Sequence, residues 1–112
     1  MELTINENNG IKVINLKGHL DGNTSPKVQE EIIPIIQSGT KIAINMADCD
    51  YVSSAGLRLL LVIAKTLKSK GGKGVISGLL PEVKDVMEMT GFDRMYENYS
   101  SVDDAIKALN EG

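Results

Sequence analysis

The chain has 112 residues, 42% of them hydrophobic and 24% charged, proportions that suit one globular domain with a core of its own. Twelve basic against fifteen acidic side chains leave a net charge of −3, which gives no strong pull toward nucleic acid or an anionic membrane. The longest unbroken apolar run, Leu59–Ala64, is too short to span a bilayer, "MELTINENNG" lacks the build of a signal peptide, and the single Cys49 has no internal partner; a cytoplasmic domain over residues 1–112 is expected, without direct nucleic-acid or membrane binding.

"ELTINE" alternates apolar and polar residues, "NNG" is a hairpin turn signal, and "IKVINLKG" alternates again, so Met1–Gly18 reads as an antiparallel hairpin with a half-buried first strand. A helix follows in "NTSPKVQEEIIPII", with Thr24 or Ser25 as cap and Pro26 in the first turn. Val28, Ile32, Ile35 and Ile36 share its inner face, and Pro34 should kink or end it. "KIAINMA" suits a strand buried on both faces. In "DCDYVSSAGLRLLL", Tyr51 and Val52 close a loop and Ser54 falls at the N-cap of a helix running to Gly71 and Gly72. Leu57, Leu60, Leu61, Ala64 and Leu67 make its core face, with Leu59, Val62 and Ile63 near the margin. "GKGVISGL" is a further strand, Pro81–Gly91 a helix, "RMYENY" a short strand, and "SVDDAIKALN" a last helix capped by Ser101 with Asp104 as a weak capping-box partner. Met87, Met89 and Met95 read as core fillers. Strands separated by single helices predict an α/β fold: a mixed, mostly parallel sheet of about five strands, an N-terminal antiparallel hairpin at one edge, and about four helices.

The chemistry-bearing residues are few. One histidine, His19, and one cysteine cannot build a zinc site, and His19 is expected at the surface or in packing. "SSAGL" lacks the leading glycine of a nucleophile elbow, and "GGKG" lacks the spacing of a phosphate-binding loop. Asp48 and Asp50 follow a central strand, but only Asp21 stands where a magnesium-binding acidic pair would be needed. No enzyme activity, metal or cofactor is expected. The lysines of "AKTLKSKGGKG" read as a solvated helix end whose charge suits the helix dipole.

Ser53, Ser54 and Gly56 remain. A capping serine contributes about 1 kcal/mol, which leaves a second hydroxyl unexplained, as well as a glycine that weakens a helix by up to about 1 kcal/mol. A glycine there opens the backbone to close approach, and the helix beyond it reads in two ways: widely buried by its neighbours, or presenting Ala55, Leu59 and Val62 as an exposed apolar stripe leading away from Ser54. The second reading is that of a site another molecule must reach.

"YVSSAGLRLLL", preceded by "KIAINMADCD" and by "LKGHLDGNT", resembles the STAS domain family of bacterial anti-sigma factor antagonists. Gly18, Leu20, Asp21 and Thr24 match its upstream "G-x-L-D-x-x-T" pattern, and the likeness spans nearly the whole chain. It implies a single STAS domain that binds an anti-sigma factor serine kinase of the histidine-kinase-like ATPase type and so frees a sigma factor. It further implies that phosphorylation of Ser54, with Ser53 as the alternative acceptor, switches binding off, and that a PP2C-type serine phosphatase restores it. The partner surface so implied comprises Asp21, Asn23, Thr24, Ser53, Ser54, Ala55, Gly56, Leu57, Arg58, Leu59 and Val62. The chain departs from many antagonists in carrying Ser53 where they carry aspartate. The alternative is a STAS interaction module of another regulatory or transport assembly, without serine phosphorylation.

Overall fold

Asn9 and Gly10 both take positive φ, 54° and 80°, as a type I′ hairpin turn requires. They join β1 (Glu2–Asn8) to β2 (Ile11–Leu20), paired antiparallel from Glu2↔Lys17 to Asn8↔Ile11. In the computed structural model, which describes residues 1–111, the hairpin is followed by α1 (Ser25–Ile32), β3 (Lys41–Val52), α2 (Ser54–Ser69), β4 (Lys73–Ser77), α3 (Pro81–Thr90), β5 (Glu97–Tyr99) and α4 (Val102–Glu111). The sheet order is β1-β2-β3-β4-β5, and every pairing after the hairpin is parallel. Five strands and four α-helices stand among the described residues, as the alternation predicts.

Burial on both faces explains the near-continuous apolar run of β3. Ile14, Ile42, Ile44 and Ile76 point to one side, where α1, α2 and α3 supply Val28, Ile32, Leu60, Ile63, Val83 and Met87. Val13, Ala43 and Val75 point to the other, where α4 supplies Ala105, Ile106 and Leu109. Each fully buried isoleucine contributes about 1.5–3 kcal/mol.

The helix ends follow local chemistry. At Pro34 the α1 helix gives way to a 3-10 turn over Ile33–Ile35, because proline lacks the N–H that would continue it. Pro81 opens α3, and Gly91 closes it at φ 78°. Ser101 Oγ accepts the Asp104 N–H at 3.2 Å. The Asp104 carboxylate accepts from the Ser100 hydroxyl at 3.1 Å, so the second arm of the capping box is diverted.

Five expectations are corrected. The β1 strand is exposed along almost its whole length, Ile5 to 39%, because α1 reaches only its beginning, where Leu3 packs against the core. The β3 strand runs on through Val52 instead of ending at Ala47. Register shifts between Asn15 and Lys17 and between Gly18 and His19 allow the polar stretch to keep pairing while Cys49 and Val52 stay buried. In α2, Leu59 and Ile63 are buried whereas Leu61 and Ala64 are half-buried, since α1 packs alongside α2 and claims a second side of it. Ile35 is half-buried while Val28, Ile32 and Ile36 are buried, because the 3-10 turn breaks the helical register at that point. Met87 is fully buried and Met95 partly so, but Met89 is 86% exposed, on the solvent side of α3.

Candidate functional site

The ends of β2 and β3 and the start of α2 are tied together by one backbone oxygen. The Ser53 N–H donates to the Leu20 carbonyl at 2.9 Å, which fixes where α2 begins relative to β2. Ser53, not Ser54, is the N-cap: it has extended backbone (φ −85°, ψ 177°), and its side-chain oxygen accepts the Gly56 N–H at 3.3 Å. The expectation of Ser54 as cap is off by one, because Val52 is still strand. Ser54 is therefore the first helical residue. It is exposed, and its hydroxyl has no hydrogen-bond partner among the described residues.

Gly56 has a different role from the one its place in the first turn suggested. It is buried, and a Cβ built on it would lie 2.4 Å from the Leu20 carbonyl oxygen and 3.0 Å from Leu20 Cγ and Val52 Cγ1. The close approach is internal, of α2 onto the ends of β2 and β3. Leu57 and Leu59 are also buried, at 6% and 2% exposure. Of the stripe Ala55, Leu59 and Val62, the first and last are half-exposed and Leu59 forms the floor between them.

The β2–α1 turn is built by Asp21 and Thr24. One Asp21 carboxylate oxygen accepts the Asn23 N–H at 2.9 Å and the Thr24 N–H at 3.2 Å. The Thr24 hydroxyl accepts the Asp21 N–H at 2.9 Å and donates to the His19 carbonyl at 2.8 Å. The Asn23 N–H above all, aided by Thr24, holds the Asp21 carboxyl below its ordinary range. Thr24 sits at the N-cap of α1 but does not cap it with its side chain, since its hydroxyl is spent on the turn. Asn23 is exposed.

The turn and helix lie against α2 and leave a groove of about 650 Å³ between them. Ser25, Pro26, Ile33 and Pro34 line one wall, and Ala55, Arg58, Leu59 and Val62 the other. Ser25 is 7% exposed and its hydroxyl has no partner among the described residues. Arg58 is exposed and forms no ion pair among the described residues. Sequence reasoning found the α2 wall and missed the α1 wall, because nothing local in "SPKVQEEIIP" says which helix lies opposite.

A second feature missed from the sequence flanks the serines. His19 Nε2 lies 3.1 Å from an Asp50 carboxylate oxygen, and its ring meets Tyr51 edge-on with centroids 5.7 Å apart. Tyr51 is 52% exposed. Only the irregular pairing of β2 with β3 brings these three side chains together, and no spacing in the sequence announces it.

No group of three or more His, Cys, Asp or Glu among the described residues is placed to hold a metal. No helix among them is long and apolar enough to cross a membrane.

A family model described as STAS domain matches residues 2–105. The chain is similar to BtrV of Bordetella bronchiseptica, whose name assigns it provisionally as an anti-sigma factor antagonist, at 31% identity over 82% of this chain and 80% of that one. It is 31% identical to the anti-sigma-B factor antagonist of Staphylococcus aureus over 76% of this chain and 81% of the other. The solved structure of the anti-sigma factor antagonist SpoIIAA in its unphosphorylated form superposes with a TM-score of 0.84 at 20% identity, covering 99% of this chain and 98% of that one.

Proposed function

The chain belongs to the STAS domain family, and on that premise we propose that it is an anti-sigma factor antagonist switched by phosphorylation of Ser54. The observation that carries the reading is the contrast between two adjacent hydroxyls. Ser53 is engaged as the helix cap, while Ser54 is exposed and unengaged at the first helical position. An acceptor must offer a free hydroxyl to an incoming phosphoryl group, and Ser54 does so without loss of the cap. Serine and aspartate are both good N-caps, so Ser53 keeps the cap where many antagonists carry aspartate and removes one negative charge beside the acceptor.

The partner in this reading is an anti-sigma factor serine kinase of the histidine-kinase-like ATPase type, and a PP2C-type phosphatase resets the switch. Unphosphorylated, the protein presents Ser54, Ala55, Arg58 and Val62, with Asn23 and the α1–α2 groove beside them. Asp21 and Thr24 act by shaping the turn, and Gly56, Leu57 and Leu59 by holding α2 in place. A phosphate on Ser54 adds a charge of about −1.5 to −2. The helix N-terminus stabilises it by about 0.3–1 kcal/mol, so the domain keeps its shape. A partner that covers the same spot must desolvate that charge, at a cost of about 3 kcal/mol or more by analogy with a broken buried pair, roughly a hundredfold in affinity.

The test is incubation with ATP and candidate anti-sigma kinases, followed by peptide mass spectrometry and calorimetric binding of the two forms. One phosphate on Ser54, absent from Ser54→Ala, with binding to the kinase weakened about a hundredfold, is the expected result. A phosphate mapped to Ser53, or a phosphorylated form that binds the kinase as tightly as the unmodified one, overturns the reading.

A further inference from the structure

The lysine-rich stretch that ends α2 borders a cleft. Lys65 and Lys68 of α2, Lys73 of β4 and Arg94 of the 3-10 turn before β5 surround one cleft of about 520 Å³. Its apolar lining is Ala64, Leu67, Met95 and Tyr96. The helix dipole accounts for Lys68 in the last turn. It does not account for Lys65, a turn further back, or for cations arriving from two other elements. Glu97 is the one carboxylate at the opening; it lies 3.7 Å from Lys73 and accepts the Tyr99 hydroxyl at 2.6 Å. Lys65, Lys68 and Arg94 have no ion-pair partner among the described residues, on a chain whose net charge is −3.

We propose that this cleft is a docking site for an acidic segment of a partner protein, one that carries carboxylates to the cationic rim and apolar side chains to the floor. Charge complementarity selects the sign, and the apolar floor selects a peptide over a bare ion. Free backbone N–H groups or a helix N-terminus would favour a bare phosphate. Here the helix presents its C-terminal end, and four nearby N–H groups are spent. Gly71 donates to Lys68 O, Gly72 to Leu67 O, Lys73 to Thr40 O and Met95 to Phe92 O. The cleft lies at the far end of α2 from Ser54, about 16 Å along the helix from Ser54 to Lys65, a distance over which a surface charge on Ser54 is largely screened.

The probe is a fluorescein-labelled peptide of alternating Glu and Leu, with a counterpart carrying Gln for Glu, titrated against the full chain by anisotropy. Binding should weaken with salt, be lost with the Gln peptide, and shift the amide resonances of Ala64–Lys68, Lys73, Gly74 and Arg94–Glu97. The Lys65→Glu/Arg94→Glu variant should bind about tenfold more weakly or worse, while Ser54→Asp binds as wild type. Should the double charge reversal disturb folding, Lys65→Gln/Arg94→Gln takes its place, with a loss of a few-fold. Undiminished binding by a folded variant, resonance shifts at the Ser54 end instead, or tripolyphosphate binding the cleft more tightly than the peptide each overturns the proposal.

Discussion

Gly56→Ala separates two explanations of a glycine in a first helical turn. At an open helical site the change would stabilise the protein by up to about 1 kcal/mol. Here the new methyl would meet the Leu20 carbonyl oxygen at 2.4 Å and two buried side-chain carbons at 3.0 Å, and a backbone oxygen cannot swing aside as a side chain can. Relief requires α2 to move off β2, which strains or breaks the 2.9 Å bond from Ser53 N–H to Leu20 O. Overpacking costs about 1–3 kcal/mol and the weakened hydrogen bond about 1 kcal/mol. After the propensity gain the net loss is about 1–3 kcal/mol, a fall of roughly 4–12 °C in Tm at this chain length. Differential scanning calorimetry reads it directly, with urea unfolding as a second measure. A variant that melts at or above the wild type would refute the internal-packing account and return Gly56 to the role of a backbone left open for another molecule.

Two further outcomes follow from the same geometry. Ser53→Ala should lose about 1 kcal/mol in urea unfolding because a cap is removed, while Ser54→Ala should stay within about 0.5 kcal/mol because its hydroxyl bonds nothing. Equal losses would contradict the assignment of the cap. Tyr96 donates its hydroxyl to Leu60 O at 2.6 Å, and burial pushes its phenol above the ordinary value of 10.0. Above pH 10 the unfolded chain therefore releases this proton while the folded chain keeps it, so stability falls as pH rises, by up to about 1.4 kcal/mol per pH unit. Tyr96→Phe should lose about 1 kcal/mol at neutral pH and show a shallower alkaline decline than the wild type. Identical alkaline slopes would remove Tyr96 as the cause.

Legibility in the sequence depended on whether a residue's role was local. Asn9 and Gly10, Pro34, Pro81 and Gly91 act through their own backbone geometry, and each marks the turn or helix end it was expected to mark. The run Ile42–Met46 announced a doubly covered strand because burial on both faces needs apolar residues in succession. The segment Asp48–Val52 read as a loop because irregular pairing destroys the two-residue period by which strands are recognised. The face of α2 was misread at Leu59 and Ile63 because the position of α1 is a tertiary fact, as is the groove the two helices enclose. The serine pair was legible as a helix start; which hydroxyl caps it was not, because β3 runs straight into α2 with Ser53 alone between them.

The division of the apolar interior into two clusters on opposite faces of the sheet has a kinetic consequence. Ala105, Ile106 and Leu109 rest on Ile11 and Val13 of β2, Ala43 of β3 and Val75 of β4. That landing surface exists only once three strands, separated by helical crossovers, have aligned in parallel. Such pairings close long loops before any contact rewards them, which makes them the slow events of folding. Docking of α4 therefore follows registration of the sheet and cannot nucleate it. In the native ensemble the same order runs backward: α4 can detach as a unit while the larger cluster and the serine platform on its face stay formed.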